Sequence, residues 1–240
     1  MKNIITALLL FTTCLLFAQK GPKPLTIKPL TGNFYVYTTY HLYKGVPVSA
    51  NGMYLAAGEG VLMFDTPWDT TQFQPLLDSI WTRHHKKVIA CIATHSHEDR
   101  TGGFDYYNSK GIQTYATAQT DSICKQRGEK RAQYLIPYDS GFGIGDYSCD
   151  IYYPGPGHAP DNIVLWFPSE RILYGGCFIK STDATDLGYT GDADLKEWPL
   201  AIKRVQEKFG KPNYVIPGHG NWRNKKSPEH TLRLLRKHRN

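Results

Sequence analysis

The feature of this sequence that most constrains its fold is an apolar segment, residues 88–94, that leads directly into a polar cluster. Residues 95–99 read His-Ser-His-Glu-Asp, and Gly102 and Gly103 follow. A continuous apolar run of this kind is typical of a strand that is buried on both faces, and functional side chains gather in loops at strand ends. The segment therefore predicts a sheet covered by helices, with a site where this strand ends.

The residue types in 95–99 indicate metal binding. In extended backbone, residues two apart face the same way, so His95 and His97 can bind one ion. Asp99 lies past a bend that the two glycines allow, and from there it can reach a second ion. The alternative is a polar surface turn with solvated histidines. That alternative is adequate for a single histidine, but it does not explain why the whole cluster occurs at a strand end.

Three more candidate ligands, His158, Cys177 and His219, follow later predicted strands, and each lies beside glycine. Taken singly, each has an ordinary alternative, because a lone histidine is commonly solvated and a lone cysteine is commonly a buried thiol or half of a disulfide. Taken together with the first three, they favour a site for two metal ions.

The rest of the chain alternates between strand and helix patterns without a linker, which predicts one α/β domain of layered sheets with outer helices. The other predicted strands are 34–37, 53–55, 61–65, 112–116, 150–154, 163–167, 172–175 and 213–216. One helix is predicted to begin at Asp69, and two more are predicted over 117–126 and 227–238. A further helix is predicted in the segment that precedes the last strand. Pro75 blurs where the first of these helices starts.

Composition excludes several classes of protein. The chain has 240 residues, 41% apolar and 20% charged, which is the composition of a single globular domain. The formal charge is +7, but the basic residues are scattered apart from a cluster within 233–239, so a nucleic-acid surface is not required. We expect a small-molecule partner and a monomer.

The first 18 residues have the order of a secretory signal, with Lys2, an apolar run over 4–17 and the small residue Ala18. The run is too short to span a bilayer, so we expect cleavage after Ala18, a mature domain of 19–240, periplasmic location and no membrane anchor. Four cysteines remain in that domain, and a disulfide between Cys124 and Cys149 is left open.

The motifs described above carry a resemblance to a known family. Residues 95–99, 157–162, 175–180 and 217–219, with 65–68, are similar to the motifs of the metallo-β-lactamase superfamily, and among its members to class B zinc β-lactamases of subclass B1, of flavobacterial type. The resemblance implies a four-layer αβ/βα sandwich, in which two mixed β-sheets are flanked by helices. It also implies two Zn²⁺ ions, one held by His95, His97 and His158, the other by Asp99, Cys177 and His219.

The implied activity is that of a zinc-dependent β-lactamase. Metal-bound hydroxide would open the amide of penicillins, cephalosporins and carbapenems and so confer antibiotic resistance, with Asp99 and Lys180 as catalytic residues. Lys180 would offer its ammonium to the substrate carboxylate, and a solvated lysine is the alternative. The further assignments are substrate contact for Trp68 and Tyr40, and support of the ligands for Arg100 and Asp65.

Two other functions stay open at this point. Hydrolases of the same superfamily that act on thioesters, lactones or nucleic acids form the first alternative, and those acting on thioesters or nucleic acids usually have His where Arg100 stands and Asp where Cys177 stands. A non-catalytic, exported zinc-binding protein is the second. The chain also departs from the family pattern at Tyr189, where the family often has an Asn that helps the developing oxyanion.

Overall fold

Two mixed β-sheets pack face to face, and helices cover the outer face of each. The structure is a computed structural model that describes residues 24–238, so the expected signal segment and its cleavage site lie outside the described residues. No helix in the described range is both long and apolar enough to cross a membrane. The architecture is the αβ/βα sandwich that the resemblance implies.

The first sheet has seven strands, antiparallel from β1 to β4 and parallel from β4 to β7. Its strands are β1 (Thr26–Thr31), β2 (Phe34–Tyr43), β3 (Val46–Ala56), β4 (Val61–Phe64), β5 (Val88–Ile92), β6 (Gln113–Thr117) and β7 (Tyr134–Ile136).

The second sheet has five strands in the order β12-β11-β10-β9-β8, and only the β11–β12 pair is parallel. Its strands are β8 (Ser140–Ile144), β9 (Tyr147–Tyr152), β10 (Val164–Phe167), β11 (Ile172–Gly176) and β12 (Tyr214–Pro217). The helices are α1 (Phe73–His84), α2 (Glu98–Thr101), α3 (Phe104–Ser109), α4 (Ala118–Arg127), α5 (Trp198–Phe209) and α6 (Ser227–His238).

Side chains that alternate along the strands fill three apolar layers. On β4, Leu62 and Phe64 face the layer between the sheets, whereas Val61 and Met63 face the layer under α1 and α3. A third apolar cluster joins the outer face of the second sheet to α5 and α6. Burial of β4 on both faces, and of Cys91 and Ile92 at the end of β5, explains why these strands read as apolar runs.

The two sheets are joined at the ends where several strands lead into the candidate ligands. The backbone N–H of Asn51 on β3 donates to Gly218 after β12 at 2.8 Å. Likewise, the N–H of Ile163 donates to Thr94 after β5 at 2.9 Å. These cross-sheet bonds bring the loops after β5 and β12 to one end of the sandwich.

The predicted elements agree with the structure in order and type, with corrections at several boundaries. The strand predicted over 88–94 ends at Ile92, because the backbone of Thr94 turns away to bond a side chain. The helix expected from Asp69 begins at Phe73, and Asp69 instead caps a short 3-10 turn. Strands β1, β7 and β8 and the short helices α2 and α3 were not predicted. Within the described range all four cysteines are free, so Cys124 and Cys149 are not paired.

Candidate metal centre

Asp65 fixes the start of the loop that carries the first ligands. It follows β4 directly, and its carboxylate accepts hydrogen bonds from the backbone N–H of Thr94 at 2.7 Å and from the Thr94 hydroxyl at 2.9 Å. Tyr174 of the second sheet donates its hydroxyl to the same carboxylate at 2.7 Å. Asp65 therefore ties β4, the end of β5 and β11 together, beside the candidate ligands.

Three histidine nitrogens converge on one point. His95 Nε2 and His158 Nε2 each lie 3.1 Å from His97 Nδ1. His95 and His158 are buried, and burial is the main reason that the pKa of each ring lies well below its usual value. Burial therefore favours the neutral form of both rings, and their Nε2 atoms face the same point as His97 Nδ1, where a cation could bind.

A second group of ligand atoms is formed by Asp99, Cys177 and His219. His219 Nε2 lies 3.1 Å from Asp99 Oδ2 and 3.2 Å from Cys177 Sγ, and the carboxylate and sulfur atoms are 3.4 Å apart. His219 Nδ1 lies 2.5 Å from the carbonyl oxygen of Ser49, which orients the ring so that Nε2 faces the other two atoms.

Charge in the second group favours a cation. Burial alone would raise the pKa of Asp99, but the Arg100 guanidinium and His219 hold it well below its usual range. Burial would lower the pKa of His219, but Cys177 and Asp99 raise it to about 9. A proton on His219 Nε2 is therefore stabilised by the carboxylate and the sulfur, and the same two atoms would attract a metal cation.

The spacing of both groups is close to that of a zinc site. Four ligands held tetrahedrally at zinc distances have ligand atoms about 3.3–3.6 Å apart. The candidate ligand atoms lie 3.1 to 3.4 Å apart, so each group is slightly tighter than a site that holds zinc. Imidazole and thiolate donors also suit zinc better than a hard ion such as magnesium. Cys177 Sγ lies within 4.8 Å of the ligand atoms of His95 and His158, so the two groups are neighbours.

Arg100 lies between the two sheets, out of contact with solvent, and holds the second group in place. One terminal nitrogen donates to Asp99 Oδ2 at 2.8 Å and to Cys177 Sγ at 3.0 Å. The other donates to Asp65 Oδ2 at 3.2 Å and to the carbonyl of Asn51 at 2.8 Å. This guanidinium fills the space beside Asp99 and compensates the negative charge of two buried carboxylates.

Lys180 lies beside the metal-binding groups and is buried, with a relative exposure of 8%. Its ammonium lies 5.3 Å from the centroid of the Trp198 ring, over its face. Burial lowers the pKa of Lys180, while the negative groups at Cys177 and Asp99 act to raise it. Lys180 is therefore not a solvated surface lysine, because its charge is held inside the protein next to the ligands.

Tyr40 lies in the half of the β2–β3 hairpin nearer its turn, and Trp68 packs against the same half. Trp68 stacks on His41 with ring centroids 4.5 Å apart and lies edge-on to the ligand His219 at 6.3 Å. Tyr40 is held through its backbone by Gln72, which accepts from the Tyr40 N–H and donates to its carbonyl. Trp68 therefore links the hairpin to the second group of candidate ligands. The backbone hydrogen bonds between Tyr40 and Gln72 involve none of these ligands.

Two residues at the site were not found from the sequence. Asp192 Oδ2 lies 2.8 Å from His97 Nε2, and Arg127 at the end of α4 donates to both oxygens of Asp192. Burial opposes ionisation of Asp192, but the hydrogen bonds from Arg127 and His97 lower its pKa. Asp192 and His97 are 95 positions apart, so no local pattern could have predicted this contact.

Known sequences and solved structures give consistent matches to this chain. No protein-family model matches it. It is 43% identical over 219 residues to the metallo-β-lactamase type 2 of Elizabethkingia meningoseptica, covering 91% of this chain and 88% of that protein. It is 41% identical over 222 residues to the metallo-β-lactamase IND-1 of Chryseobacterium indologenes, covering 92% and 93%. The crystal structure of metallo-β-lactamase IND-7 superposes with a TM-score of 0.86 at 41% identity, covering 89% of this chain and 99% of that one.

Proposed function

The chain belongs to the metallo-β-lactamase family, as a B1 member of the flavobacterial type, and from this premise we propose that it works with two zinc ions. It is a metal-dependent hydrolase that opens the amide bond of β-lactams and gives antibiotic resistance. Penicillins, cephalosporins and carbapenems are the substrates that we propose.

One observation carries the proposal, namely two adjacent groups of three candidate ligand atoms whose separations are close to those of a tetrahedral zinc site. One ion would be held by His95, His97 and His158, and the other by Asp99, Cys177 and His219. Bound zinc supplies Lewis acidity toward the β-lactam carbonyl and lowers the pKa of a bound water to about 7.

The surrounding side chains keep the ligands in the state that metal binding requires. Arg100 holds Asp99 as a carboxylate and donates to the Cys177 sulfur, so both ligands are stabilised in their anionic forms. Ser49 and Asp192 accept from the outward nitrogens of His219 and His97 and thereby orient these two rings. Asp65 supports the ligands indirectly, through its hydrogen bonds with Thr94 and Arg100.

Substrate is oriented, in this proposal, by Lys180 and by the hairpin. The buried ammonium of Lys180 provides a charged donor for the carboxylate that β-lactam antibiotics carry. Trp68 and Tyr40 form the apolar side of the entrance. Tyr189, which stands where the family often has Asn, lies with its ring 5.5 Å from that of His97 and is 56% exposed. We therefore assign Tyr189 to the wall of the site and not to oxyanion binding.

The alternative functions are not favoured. Hydrolases acting on thioesters or nucleic acids usually have His at the position of Arg100, but here the guanidinium is packed against Asp99 and Cys177. A non-catalytic zinc-binding protein has no use for a buried lysine ammonium beside the ligands. The described residues of the late basic cluster, Arg233, Arg236 and Lys237, lie on α6. A small-molecule substrate, a monomer and no nucleic-acid partner remain our proposal.

Export is a separate part of the proposal. Residues 1–18 would direct the chain to the periplasm and be removed after Ala18, leaving 19–240 as the mature domain without a membrane anchor. The intact mass of the protein recovered from a periplasmic extract tests this. A mass that begins at another residue would contradict the cleavage site, and retention in the cytoplasm would contradict export.

The activity is tested by incubating purified mature protein with nitrocefin and with imipenem, before and after treatment with a chelator. We expect hydrolysis of both compounds, loss of activity with the chelator and recovery on adding Zn²⁺. The variant His158→Ala should lose most activity, whereas His238→Ala, at the exposed end of α6, should match the wild type. Absence of hydrolysis in the zinc-loaded wild type would overturn the proposal.

A further inference from the structure

A chain of three side chains runs along the edge of the three-histidine group. The two terminal nitrogens of Arg127 donate to the two carboxylate oxygens of Asp192, at 3.0 and 2.9 Å. Asp192 Oδ2 in turn lies 2.8 Å from His97 Nε2. The other ring nitrogen of His97, Nδ1, is the atom that faces His95 and His158.

The position of Arg127 is fixed by how α4 ends. Arg127 is the last residue of the helix, and Gly128 follows with a φ of +68°, a left-handed conformation that glycine adopts without strain. The N–H of Glu129 then donates to the carbonyl of Cys124 at 2.9 Å, which closes the helix end. The guanidinium therefore extends from a well-defined backbone toward the loop that carries Asp192.

The paired hydrogen bonds constrain Asp192 in orientation as well as in distance. A planar guanidinium that donates to both oxygens of a carboxylate fixes the plane of that carboxylate, which a single donor cannot do. The carboxylate accepts from His97 Nε2, which leaves Nδ1 with its lone pair toward the metal site. Fixing the plane of Asp192 thus fixes the tautomer and the direction of the His97 ring.

We propose that Arg127 is a positioning residue for the three-histidine site, acting through Asp192 on His97. The inference rests on the two-zinc function proposed above. Its rival is an ordinary surface ion pair with no effect on the site, because exposed pairs contribute little by themselves and Arg127 is only partly buried.

The same helix supplies a matched control. Arg131, just past the end of α4, pairs with Asp121 through two nitrogens, at 2.9 and 2.6 Å. That pair has the same chemistry as the Arg127–Asp192 pair, but its recorded contacts include no ligand residue. A surface ion pair without function predicts the same result for Arg127→Gln and Arg131→Gln, whereas a positioning role predicts different results.

The experiment measures Co²⁺ binding to the metal-free protein by absorption. A thiolate-to-cobalt charge-transfer band reports Co²⁺ binding at the group that contains Cys177. Ligand-field bands that grow while this band stays unchanged report Co²⁺ binding at the three-histidine group. We expect Arg127→Gln to weaken Co²⁺ binding at the three-histidine group about tenfold, the lower end for loss of a residue that orients a metal ligand. Binding at the thiolate group should be unchanged in both glutamine variants.

Two further variants complete the test. Arg127→Lys keeps the charge but not the paired donors, so it should recover only part of the affinity. Asp192→Ala should weaken binding at the three-histidine group by more than Arg127→Gln does. Arg127→Lys provides the readout on Arg127 if Arg127→Gln does not fold.

Equal Co²⁺ binding by the Arg127→Gln and Arg131→Gln variants would overturn the inference, and so would an equal loss at both metal groups. If the wild type itself binds no Co²⁺, the two-zinc function fails instead, and the two failures are thereby distinguished.

Discussion

The guanidinium of Arg100 donates to the sulfur of Cys177 at 3.0 Å, and both side chains are shielded from solvent. The same nitrogen donates to Asp99 at 2.8 Å, so a single cation contacts two of the three candidate ligands in one group. This relationship explains how a chain with Arg after the ligand Asp can accommodate a thiolate ligand, and it leads to the first prediction.

Replacement of Arg100 by Met should destabilise the metal-free protein strongly. Asp65 would be left as a buried carboxylate without a cation and Asp99 would keep only His219, and breaking a buried ion pair in this way costs about 3–5 kcal/mol in unfolding free energy. Arg100→Lys keeps the charge and should cost less. Urea denaturation of both variants measures the difference, and a cost below about 1 kcal/mol for Arg100→Met would refute the role given to Arg100.

Cys177→Ser should weaken one zinc ion selectively. A hydroxyl stays un-ionised at neutral pH and is a much poorer zinc ligand than a thiolate, whereas the three-histidine group is unaltered. Zinc content after dialysis against a weak chelator should fall from two ions to one per chain. Cys149→Ser, at a buried cysteine of β9, controls for the loss of a buried thiol. Two tightly held ions in Cys177→Ser would remove Cys177 from the ligand set.

Lys180→Ala should raise KM. A charge-assisted hydrogen bond to the substrate carboxylate contributes about 1.5–3 kcal/mol, so kcat/KM should fall on the order of 10- to 150-fold. The bond is present in ground state and transition state alike, so most of the loss should lie in KM. Steady-state kinetics with one carbapenem measures it, with Lys203→Ala on the exposed face of α5 as the control. An unchanged KM, or a loss confined to kcat, would contradict substrate binding by Lys180.

Glu129 provides a test based on pH. Burial raises its pKa above the ordinary value of 4.5, and its Oε2 atom is buried without a hydrogen-bond partner among the described residues. An acid whose pKa is raised by folding favours the folded state below the unfolded value, and this contribution is lost as pH rises through the folded value.

Glu129→Gln should therefore have a higher melting temperature than the wild type at pH 7, and the gap should close as pH falls toward 4.5. Glu207→Gln, on the exposed side of α5, should show no such trend. A lower melting temperature for Glu129→Gln at pH 7 would mean that the Glu129 carboxylate is stabilised by the fold.

The clustering of the candidate ligands could be predicted because their signals are local. His95, His97 and Asp99 occur together after one apolar strand, and the spacing of two is meaningful in extended backbone. His158, Cys177 and His219 could be predicted only with further support, since each is ambiguous alone. That support comes from the neighbouring glycines and from the family resemblance. The structure brings the six candidate ligand atoms together, with neighbouring atoms 3.1 to 3.4 Å apart within the three-histidine group and within the group of Asp99, Cys177 and His219.

Other parts of the molecule have no local signal. Strand β8 contains Gly141 and Gly143, which weaken the strand pattern, and it pairs through its backbone with β9. Arg127 and Asp192 look like ordinary surface charges in the sequence, and only the fold brings α4 next to the loop before α5. Contacts of this kind depend on tertiary packing and not on residue pattern.

The central claim, that two zinc ions held by these six ligands support β-lactam hydrolysis, is tested most directly by adding Zn²⁺ stepwise to the metal-free protein. Bound zinc and the rate of imipenem hydrolysis are measured at each step. The account predicts no hydrolysis without metal, saturation at two ions per chain and recovery of hydrolysis as zinc binds. Full hydrolysis by the metal-free protein, or saturation with zinc without any hydrolysis, would contradict it.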